Sequence, residues 1–502
     1  MAQRDALLPS LDRTRCGSGS AGLDDVIGGG FPRGHFYLLE GEPGTGKTTL
    51  ALQFVADGLR KGEKVLYITL SEPPADLHSV ARTHGIRVDG AHFVEVRPSE
   101  EDLRPDGQYS VFHPSEIELN DRLQTIVSEV SRYKPERLVI DALSEVRMLA
   151  KDPLRFRRQV ISLREYTPSN CTTLLLDDRS SRDTELELHS IVHGVVILEK
   201  VHRDYGTTRR RIEVSKLRGC PFREGYHDYV IQAGGLQIFP RLIASEHETE
   251  QEGSGAVSSN IPELDALVGG GLDRGTSTLL LGPAGCGKTT IAMRWLAAAA
   301  ERGEFSSAFI FEETVETLTR RAQGLGMDLK GLVSSGKIKL EHFDPAEMSP
   351  GEFVDKVRQS VEVDHAKVVV IDSLNGFLQS MPGEQYLALH LHELLTFLNH
   401  RGVVTLLILA QAGVIGANVQ TPADVSYLAD NILVLRYFEA GGEVRQAISM
   451  IKKRSGPHEH TIRELRLDNG AIHVGQPLTA FHGVLTGIPA LVGHGNGLRL
   501  DE

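Results

Sequence analysis

The stretch that decides the fold is GEPGTGKTT at positions 41–49, which returns as GPAGCGKTT at 282–290. Both copies fit the pattern G-x-x-x-x-G-K-T, and each lies between a short apolar run and a segment with helical apolar spacing. Glycines in such a loop let successive backbone N–H groups point at a phosphate, which the positive end of the following helix also attracts. The sequence therefore predicts two phosphate-binding loops, each between a strand and a helix.

The loops belong to a tandem repeat. The segment from Ser18 to Glu72 matches the segment from Ser258 to Glu313 in order and landmarks, and RLVIDALSEV at 137–146 is answered by KVVVIDSLNGF at 367–377. Between the copies, SEHETEQEGSGAVSSN at 245–260 has the polar, Gly/Ser-rich composition of a linker. We predict an N-terminal domain at 1–247, a C-terminal domain at 248–485 and a flexible tail at 486–502.

Apolar runs alternate with helical patterns in both halves, as in FYLLEG, VLYITL, RLVIDA and TTLLLDD of the first half. Continuous apolar strands alternating with helices indicate a parallel sheet covered on both faces. The predicted fold class is α/β, with two tandem nucleotide-binding domains, each a mainly parallel sheet flanked by helices.

Composition restricts the function classes. The chain has 502 residues, 40% of them hydrophobic, and four cysteines without a CxxC pair, so we expect several domains in a reducing cytoplasm. Its longest apolar stretch, at 403–416, is shorter than the ~20 residues of a membrane span. The net charge of −13 argues against an obligate nucleic-acid partner.

The loops predict the cofactors ATP and Mg²⁺. Lys47 and Lys288 would reach the β- and γ-phosphates, while the hydroxyls of Thr48 and Thr289 would bind Mg²⁺. The predicted nucleotide-binding residues are Gly41, Gly44, Thr45, Gly46, Lys47, Thr48 and Thr49, and Gly282, Gly285, Cys286, Gly287, Lys288, Thr289 and Thr290.

Carboxylates at strand ends supply the remaining chemistry. Asp141 in LVIDA and Asp372 in VVVIDS are expected to bind Mg²⁺ directly or through water, although such an Asp also caps helices. Glu312 and Glu313 follow another strand of the second half, where the first half has a serine and then Glu72. We expect these three glutamates to orient or deprotonate water; the alternative is that they are exposed capping charges.

This ordered set of motifs, which also includes GLDDVIGGGFPRG, KLRG and FHGVLTGIP, resembles the KaiC family of tandem RecA-like P-loop ATPases over roughly residues 15 to 490. The resemblance implies a double-ring homohexamer with ATP at the subunit interfaces. It further implies a slow ATPase in the N-terminal ring and an autokinase and autophosphatase in the C-terminal ring.

The resemblance also assigns residues that reach a neighbouring subunit's ATP. These are Lys216, Leu217 and Arg218 of KLRG, and Lys452, Lys453 and Arg454 of KKRS, which departs from the family's KxRG at Ser455. Residues two apart on a strand share a face, so both cations could address one triphosphate. The alternative is a solvated basic strand face.

Alignment on the family's phosphoacceptor segment places Ser426 at its serine and Tyr427 at its threonine, with Asp430 at the following aspartate. Ser426 is therefore the expected acceptor, ahead of Tyr427 and the upstream Thr421, and the tyrosine departs from the Ser-Thr pair of a two-site phosphorylation cycle. The tail at 481–502 could bind a regulatory protein or be a frayed end.

Two other function classes stay open. A RecA- or DnaB-type DNA motor would need basic channel loops, and the best local candidate is HRDYGTTRRRIEV at 202–214, with Arg209 to Arg211. We interpret this stretch first as a β-hairpin with alternating exposed cations. A scaffold with structural ATP is the other.

Overall fold

The computed structural model describes residues 14–97, 114–179, 188–202, 206–246, 255–379, 387–411, 427–468, 470–485 and 490–491. It divides into two compact units, Met1–Arg241 and Leu242–Glu502, which are described in turn. The domain limits predicted from the sequence stay predictions.

Unit 1 is built on a nine-stranded sheet in the order β11-β10-β9-β8-β3-β7-β6-β4-β5, and β1 pairs with β2 beside it. The strands are β1 (Arg15–Cys16), β2 (Phe31–Pro32), β3 (Phe36–Gly41), β4 (Val65–Thr69), β5 (His92–Glu95), β6 (Arg137–Asp141), β7 (Thr172–Asp178), β8 (Gly194–Val201), β9 (Arg209–Leu217), β10 (Tyr226–Gln232) and β11 (Gly235–Phe239). The helices of its described part are α1 (Ala21–Val26), α2 (Lys47–Arg60), α3 (Pro74–Thr83), α4 (Pro114–Tyr133), α5 (Leu143–Ala150) and α6 (Pro153–Tyr166).

Unit 2 begins with a 3₁₀ turn at Ala244–Glu246 and repeats the plan with the sheet order β16-β15-β17-β18-β14-β19-β20-β21-β22. Its strands are β12 (Ala256–Val257), β13 (Leu272–Asp273), β14 (Ser277–Gly282), β15 (Ser306–Ile310), β16 (Ile338–His342), β17 (Val368–Asp372), β18 (Val404–Ala410), β19 (Asn431–Ala440), β20 (Glu443–Lys453), β21 (Ile462–Asp468), β22 (Ala471–Pro477), β23 (Phe481–His482) and β24 (Ala490–Leu491). Its described helices are α7 (Pro262–Leu267), α8 (Lys288–Glu301), α9 (Val315–Gln323), α10 (Leu329–Ser334), α11 (Pro350–Glu362), α12 (Leu374–Gln379) and α13 (Leu387–His400).

The predicted fold class is confirmed, with one refinement. From β8 to β5 every neighbouring pair is parallel, but β8, β9, β10 and β11 pair antiparallel. Unit 2 does the same, since β14 pairs parallel with β18 and β19 whereas β19 to β22 are antiparallel. Each sheet is therefore a parallel half with an antiparallel extension.

The central parallel strands contribute to two cores because their side chains alternate between the faces of the sheet. In β4, Val65 and Tyr67 pack with helices α2 and α3, whereas Leu66 and Ile68 pack with α4 to α6. Strand β17 divides its residues in the same way between the α8 face and the α11–α13 face. This two-sided burial explains why the parallel strands read as continuous apolar runs.

A β-bulge recurs at the same point of both antiparallel extensions. In unit 1, Val195 pairs with Lys216 and Val196 with Val214, so Ser215 is the extra residue of β9. In unit 2, Ile432 pairs with Lys452 and Leu433 with Met450, which makes Ile451 the extra residue of β20. Bulges bend and twist the strand that carries them, and here both directly precede the lysines assigned by the motif comparison.

Among the described helices, none is long and apolar enough to cross a bilayer.

Candidate active sites

Both predicted loops connect the central strand of a sheet to a helix. Loop 1 (41–49) follows β3 and leads into α2, and loop 2 (282–290) follows β14 and leads into α8. Gly46 and Gly287 precede the helices at φ of 98° and 99°, a region that disfavours side chains. An added Cβ would also lie 2.8 Å from Ile231 Cδ1 or from Leu467 Cδ1. The backbone conformation therefore favours glycine there, and any other residue would also have to displace the end of the Ile231 or Leu467 side chain.

The loop lysines are held by their own loops. Lys47 Nζ donates to Gly41 O at 2.7 Å and to Glu42 O at 3.1 Å. Lys288 Nζ donates to Gly282 O at 2.9 Å and to Pro283 O at 2.7 Å. Each ammonium thus lies inside the curve of its loop, where a bound anion would meet it.

The structure brings each loop threonine to the predicted strand-end aspartate. Thr48 Oγ1 donates to Asp141 Oδ2 at 3.2 Å, and Thr289 Oγ1 donates to Asp372 Oδ2 at 2.7 Å. Burial raises the pKa of Asp141, and burial with a contribution from two neighbouring glutamates raises the pKa of Asp372 to about 6. A hydroxyl beside a buried carboxylate is an all-oxygen donor set that fits a magnesium ion.

The strand-end acids occupy equivalent positions in the two units. Leu70 N donates to Asp141 O at 2.7 Å, and Phe311 N donates to Asp372 O at 2.7 Å. The two residues that follow are Ser71 and Glu72 in unit 1 and Glu312 and Glu313 in unit 2. Unit 2 therefore carries one more carboxylate at this strand end.

The glutamates have different surroundings. Glu313 pairs with Arg321 at 2.6 Å, and Glu312 accepts a hydrogen bond from Ser373 Oγ. Glu72 is exposed as a whole residue. Partial desolvation of its carboxylate, together with the nearby Asp141, raises its pKa. Each of the three glutamates interacts electrostatically with the strand-end aspartate of its own unit, Asp141 or Asp372.

Two site residues of unit 1 were missed in the sequence. Tyr67 OH donates to Asp141 Oδ2 at 2.5 Å, and Asp178 Oδ1 lies 2.9 Å from Lys47 Nζ. The only sequence indication was the pair of acids that ends TTLLLDD (172–178). Tyr67 gave none, because a tyrosine within an apolar strand reads as a core residue.

The motif KLRG lies at the end of β9, away from loop 1 of the same unit. Lys216 Nζ donates to Val192 O at 3.0 Å and to His189 O, and Arg218 donates to Ser190 O at 2.5 Å. Leu217 between them is buried. The two cations thus bond the backbone of one segment, 189–192, and their predicted role at a neighbouring ATP stays a prediction.

Unit 2 shows the same arrangement with one difference. Lys452 Nζ donates to Ala429 O at 2.7 Å, and Arg454 pairs with Asp430 at 3.0 Å. Lys453 points to the other side, where it donates to Val268 O at 2.8 Å. Asp430 accepts bonds from Ser277 N and Oγ at 3.0 Å each, so a fixed carboxylate holds the unit 2 arginine.

Ser426 and Thr421 lie outside the described residues. Tyr427, the first described residue after them, is 60% exposed. The phosphoacceptor assignment therefore stays a prediction.

Within the described part of the basic hairpin at 202–214, Arg209 and Arg211 are half-buried and pair with carboxylates. Arg209 pairs with Asp228 at 3.0 Å, and Arg211 pairs with Glu199 at 2.8 Å. The Arg211 guanidinium also lies 3.9 Å from the centre of the Tyr226 ring. Cations that are paired with carboxylates do not form the open basic surface that a nucleic-acid backbone requires.

Two sheets with RecA-like order, each with a P-loop lysine, a Thr–Asp pair and a strand-end glutamate, define a tandem P-loop ATPase. The family model described as "ATPase: KaiC" matches residues 16–243 and again 257–479. The chain belongs to the KaiC ATPase family, as its motifs predicted. It is accordingly an ATP-hydrolysing enzyme that binds ATP together with a metal ion.

Curated relatives match along nearly the whole chain. "Circadian clock protein KaiC3" of Synechocystis sp. is 28% identical over 500 residues, which cover 96% of both chains. "Circadian clock oscillator protein KaiC" of Parathermosynechococcus lividus is 26% identical and covers 95% of this chain and 88% of its own. The protein of the same name from Nostoc sp. is 25% identical, covering 94% and 91%.

Proposed function

We propose that the chain forms a homohexamer that binds Mg-ATP at its subunit interfaces, hydrolyses it in both rings and phosphorylates itself on Ser426, as a signalling or timing switch. The observation that carries this proposal is the pair of equivalent sites with unequal acids, Ser71 and Glu72 in unit 1 against Glu312 and Glu313 in unit 2. The unequal acids suit hydrolysis in one ring and an added phosphoryl transfer in the other.

Within each site the described side chains have separate tasks. Lys47 and Lys288 would bind the β- and γ-phosphates. The Thr48–Asp141 and Thr289–Asp372 pairs would hold Mg²⁺, which neutralises charge on the phosphates. The strand-end glutamates would orient the attacking water.

The cations at the ends of β9 and β20 would complete the ATP site of a neighbouring copy. Arg218 and Arg454 are exposed, so both can reach beyond their own unit. A guanidinium placed on the transferred phosphoryl group stabilises the charge of the transition state. In this proposal each ATP depends on two subunits, and hydrolysis requires assembly.

Self-phosphorylation would follow ordinary phosphoryl-transfer chemistry. Ser426 Oγ attacks the γ-phosphorus, the bond from that phosphorus to the β–γ bridging oxygen breaks, and ADP leaves. Glu313 or Glu312 accepts the serine proton. Tyr427 is a poorer acceptor because its phenol oxygen lies several ångströms farther from the backbone than a serine hydroxyl.

Phosphate mapping tests the kinase proposal directly. The purified chain is incubated with γ-labelled ATP and Mg²⁺, and the labelled residue is located by mass spectrometry. We expect label on Ser426, none in Ser426→Ala, and unchanged labelling in Tyr427→Phe. Consumption of ATP without label on the protein would reject the kinase proposal and leave the ATPase intact.

Sizing the chain with and without ATP tests the ring. We expect a hexamer with Mg-ATP, and a smaller species without nucleotide or with Arg218→Ala and Arg454→Ala combined. A monomer under every condition would contradict ATP bound between subunits. A regulatory protein binding the tail at 481–502 is a further part of this proposal, and deletion of 486–502 would abolish such binding.

A further inference from the structure

The carboxylate of Asp178 lies against the phosphate-binding lysine of loop 1. Asp178 is the last residue of β7 and pairs in register with Gly41 of β3. Its Oδ1 is 2.9 Å from Lys47 Nζ, and its Oδ2 accepts a hydrogen bond from Ser144 Oγ at 3.3 Å. The lysine ammonium has three donors, and Gly41 O and Glu42 O take two of them, so Asp178 takes the third.

Unit 2 supplies an internal comparison because Ala410 occupies the same position. Gly282 of β14 pairs in register with Ala410 of β18, as Gly41 does with Asp178. The next residue donates its N–H to the loop's first glycine in both units, at 3.3 Å from Arg179 and 3.1 Å from Gln411. The two loops therefore differ by one carboxylate at a matched place.

The residue that supports this position differs as well. Asn375 lies three residues after Asp372, as Ser144 lies three after Asp141. Asn375 accepts from Ala410 N at 2.7 Å and donates to Ala410 O at 2.9 Å, so it binds only the backbone there. Unit 2 thus uses this place for backbone support, whereas unit 1 holds a charged side chain there.

We propose that Asp178 competes with the phosphate groups of the nucleotide for Lys47 and so lowers the affinity of loop 1 relative to loop 2. A phosphate oxygen that takes the third donor of Lys47 must displace Asp178 or lie beside a like charge. The Asp178 side chain is 41% exposed, so solvent screens this effect and the carboxylate can turn away. We therefore expect about a five- to tenfold difference in affinity rather than a block.

Affinity measurements on full-length chains with one silenced loop test the proposal. In the Lys288→Ala chain, the dissociation constant of Mg-ADP is measured by calorimetry with Asp178, Asp178→Ala and Asp178→Asn. Both substitutions should tighten binding about five- to tenfold, and the gain should shrink as salt is raised because the competing interaction is electrostatic. Asp178→Asn keeps the shape of the side chain, so it isolates the charge.

The reciprocal variant is the matched control. In the Lys47→Ala chain, Ala410→Asp should weaken Mg-ADP binding at loop 2 by a similar factor. Thermal unfolding of the Asp178 variants should match that of the parent, since this side chain is partly exposed. Unchanged or weaker Mg-ADP binding in folded Asp178→Asn would overturn the proposal, whatever Ala410→Asp does.

Discussion

Arg137 carries a charge in the interior of unit 1, where its side chain is fully buried. The guanidinium bonds Asp57 Oδ2 at 2.7 Å, Glu63, Gly17 O at 2.8 Å and Phe54 O at 2.7 Å. It comes from β6, whereas its partners come from other parts of the chain. A buried charge of this kind is tolerated only when its partners are complete.

Replacing Arg137 should therefore be costly for unit 1. Arg137→Leu leaves buried carboxylates without their partner, and we expect a loss of about 3–5 kcal/mol. The loss should appear in urea unfolding followed by circular dichroism. Trp295, the single tryptophan, lies in unit 2, so its fluorescence midpoint should stay unchanged.

Arg60→Leu is the matched control, since Arg60 binds the same Asp57 at 3.0 Å from a largely exposed position. It should cost less than about 1 kcal/mol. Equal losses in the two variants would show that burial of Arg137 is not what matters.

The same cluster makes the stability of unit 1 depend on pH. Burial alone would raise the pKa of Asp57, but hydrogen bonds from Lys61 and Arg137 outweigh it and lower the pKa below the ordinary 3.8. The ionised form is thus favoured by folding, so its stabilisation is present above about pH 4 and is lost as pH falls through the lowered pKa.

We predict that Asp57→Asn lowers the free energy of unfolding most at neutral pH. The loss should become smaller below the ordinary pKa of 3.8. The measurement is the difference in free energy of unfolding between variant and parent across this range. A difference that stays constant from pH 7 to strong acid would contradict the assignment.

At the level of single residues, the sequence predicts what is local. Each loop is a run of nine consecutive residues, so its lysine, threonines and glycines could be named from the sequence alone. Asp178 and Tyr67 lie on β7 and β4, and reach the site only because the sheet order brings those strands beside β3 and β6. The spacing of residues along the chain does not show that these two side chains lie beside the site.

At the level of elements, the bulges are the feature that joins fold and proposed function. Ser215 and Ile451 occupy equivalent extra positions one residue before Lys216 and Lys452. A bulge increases local twist, so it sets the direction in which the following residues leave the strand.

Deleting Ser215 should therefore change the aim of Lys216 and Arg218 while leaving the ladder on either side paired. We expect a folded chain whose ATP hydrolysis at loop 1 falls about tenfold or more, measured in the Lys288→Ala background. Ser215→Ala keeps the extra residue and should behave like the parent. Full activity in the deletion would separate the bulge from the site.

The parallel strands were predictable for a physical reason, whereas the antiparallel extension was not. Runs such as FYLLEG and RLVIDA are buried on both faces and so stand out. Strand β9 is less buried, its Arg209 and Arg211 pair with carboxylates, and its bulge interrupts the period of two. The sequence indicated a hairpin at 202–214 but no sheet order.

At the level of the whole molecule, Leu242 and Ala244 mark where unit 2 begins. Leu242 packs in the same buried cluster as α11 to α13, and Ala244 N donates to Glu393 Oε2 at 2.9 Å. Both residues lie before position 248, the predicted start of the second domain.

The stability of two fragments with different starting points would measure how much residues 242–247 contribute to unit 2. We predict that 242–502 is more stable than 248–502 by about 2–3 kcal/mol, which is typical for removal of one buried leucine. Urea unfolding followed by Trp295 fluorescence would show the difference, and Leu242→Ala in the longer fragment should remove most of it. Identical midpoints would support a start at 248.

Strand β8 fixes the distance between the phosphate loop and the cations of β9, and this affects how accurately two subunits could form a shared site. It is hydrogen-bonded to β3, which carries the phosphate loop, and to β9, which carries Lys216. Only this one strand separates the two, so the spacing between loop and cations is fixed inside each copy before any neighbour arrives. In the proposed ring, a composite site would then be made from two preset halves, and its precision would depend on docking alone.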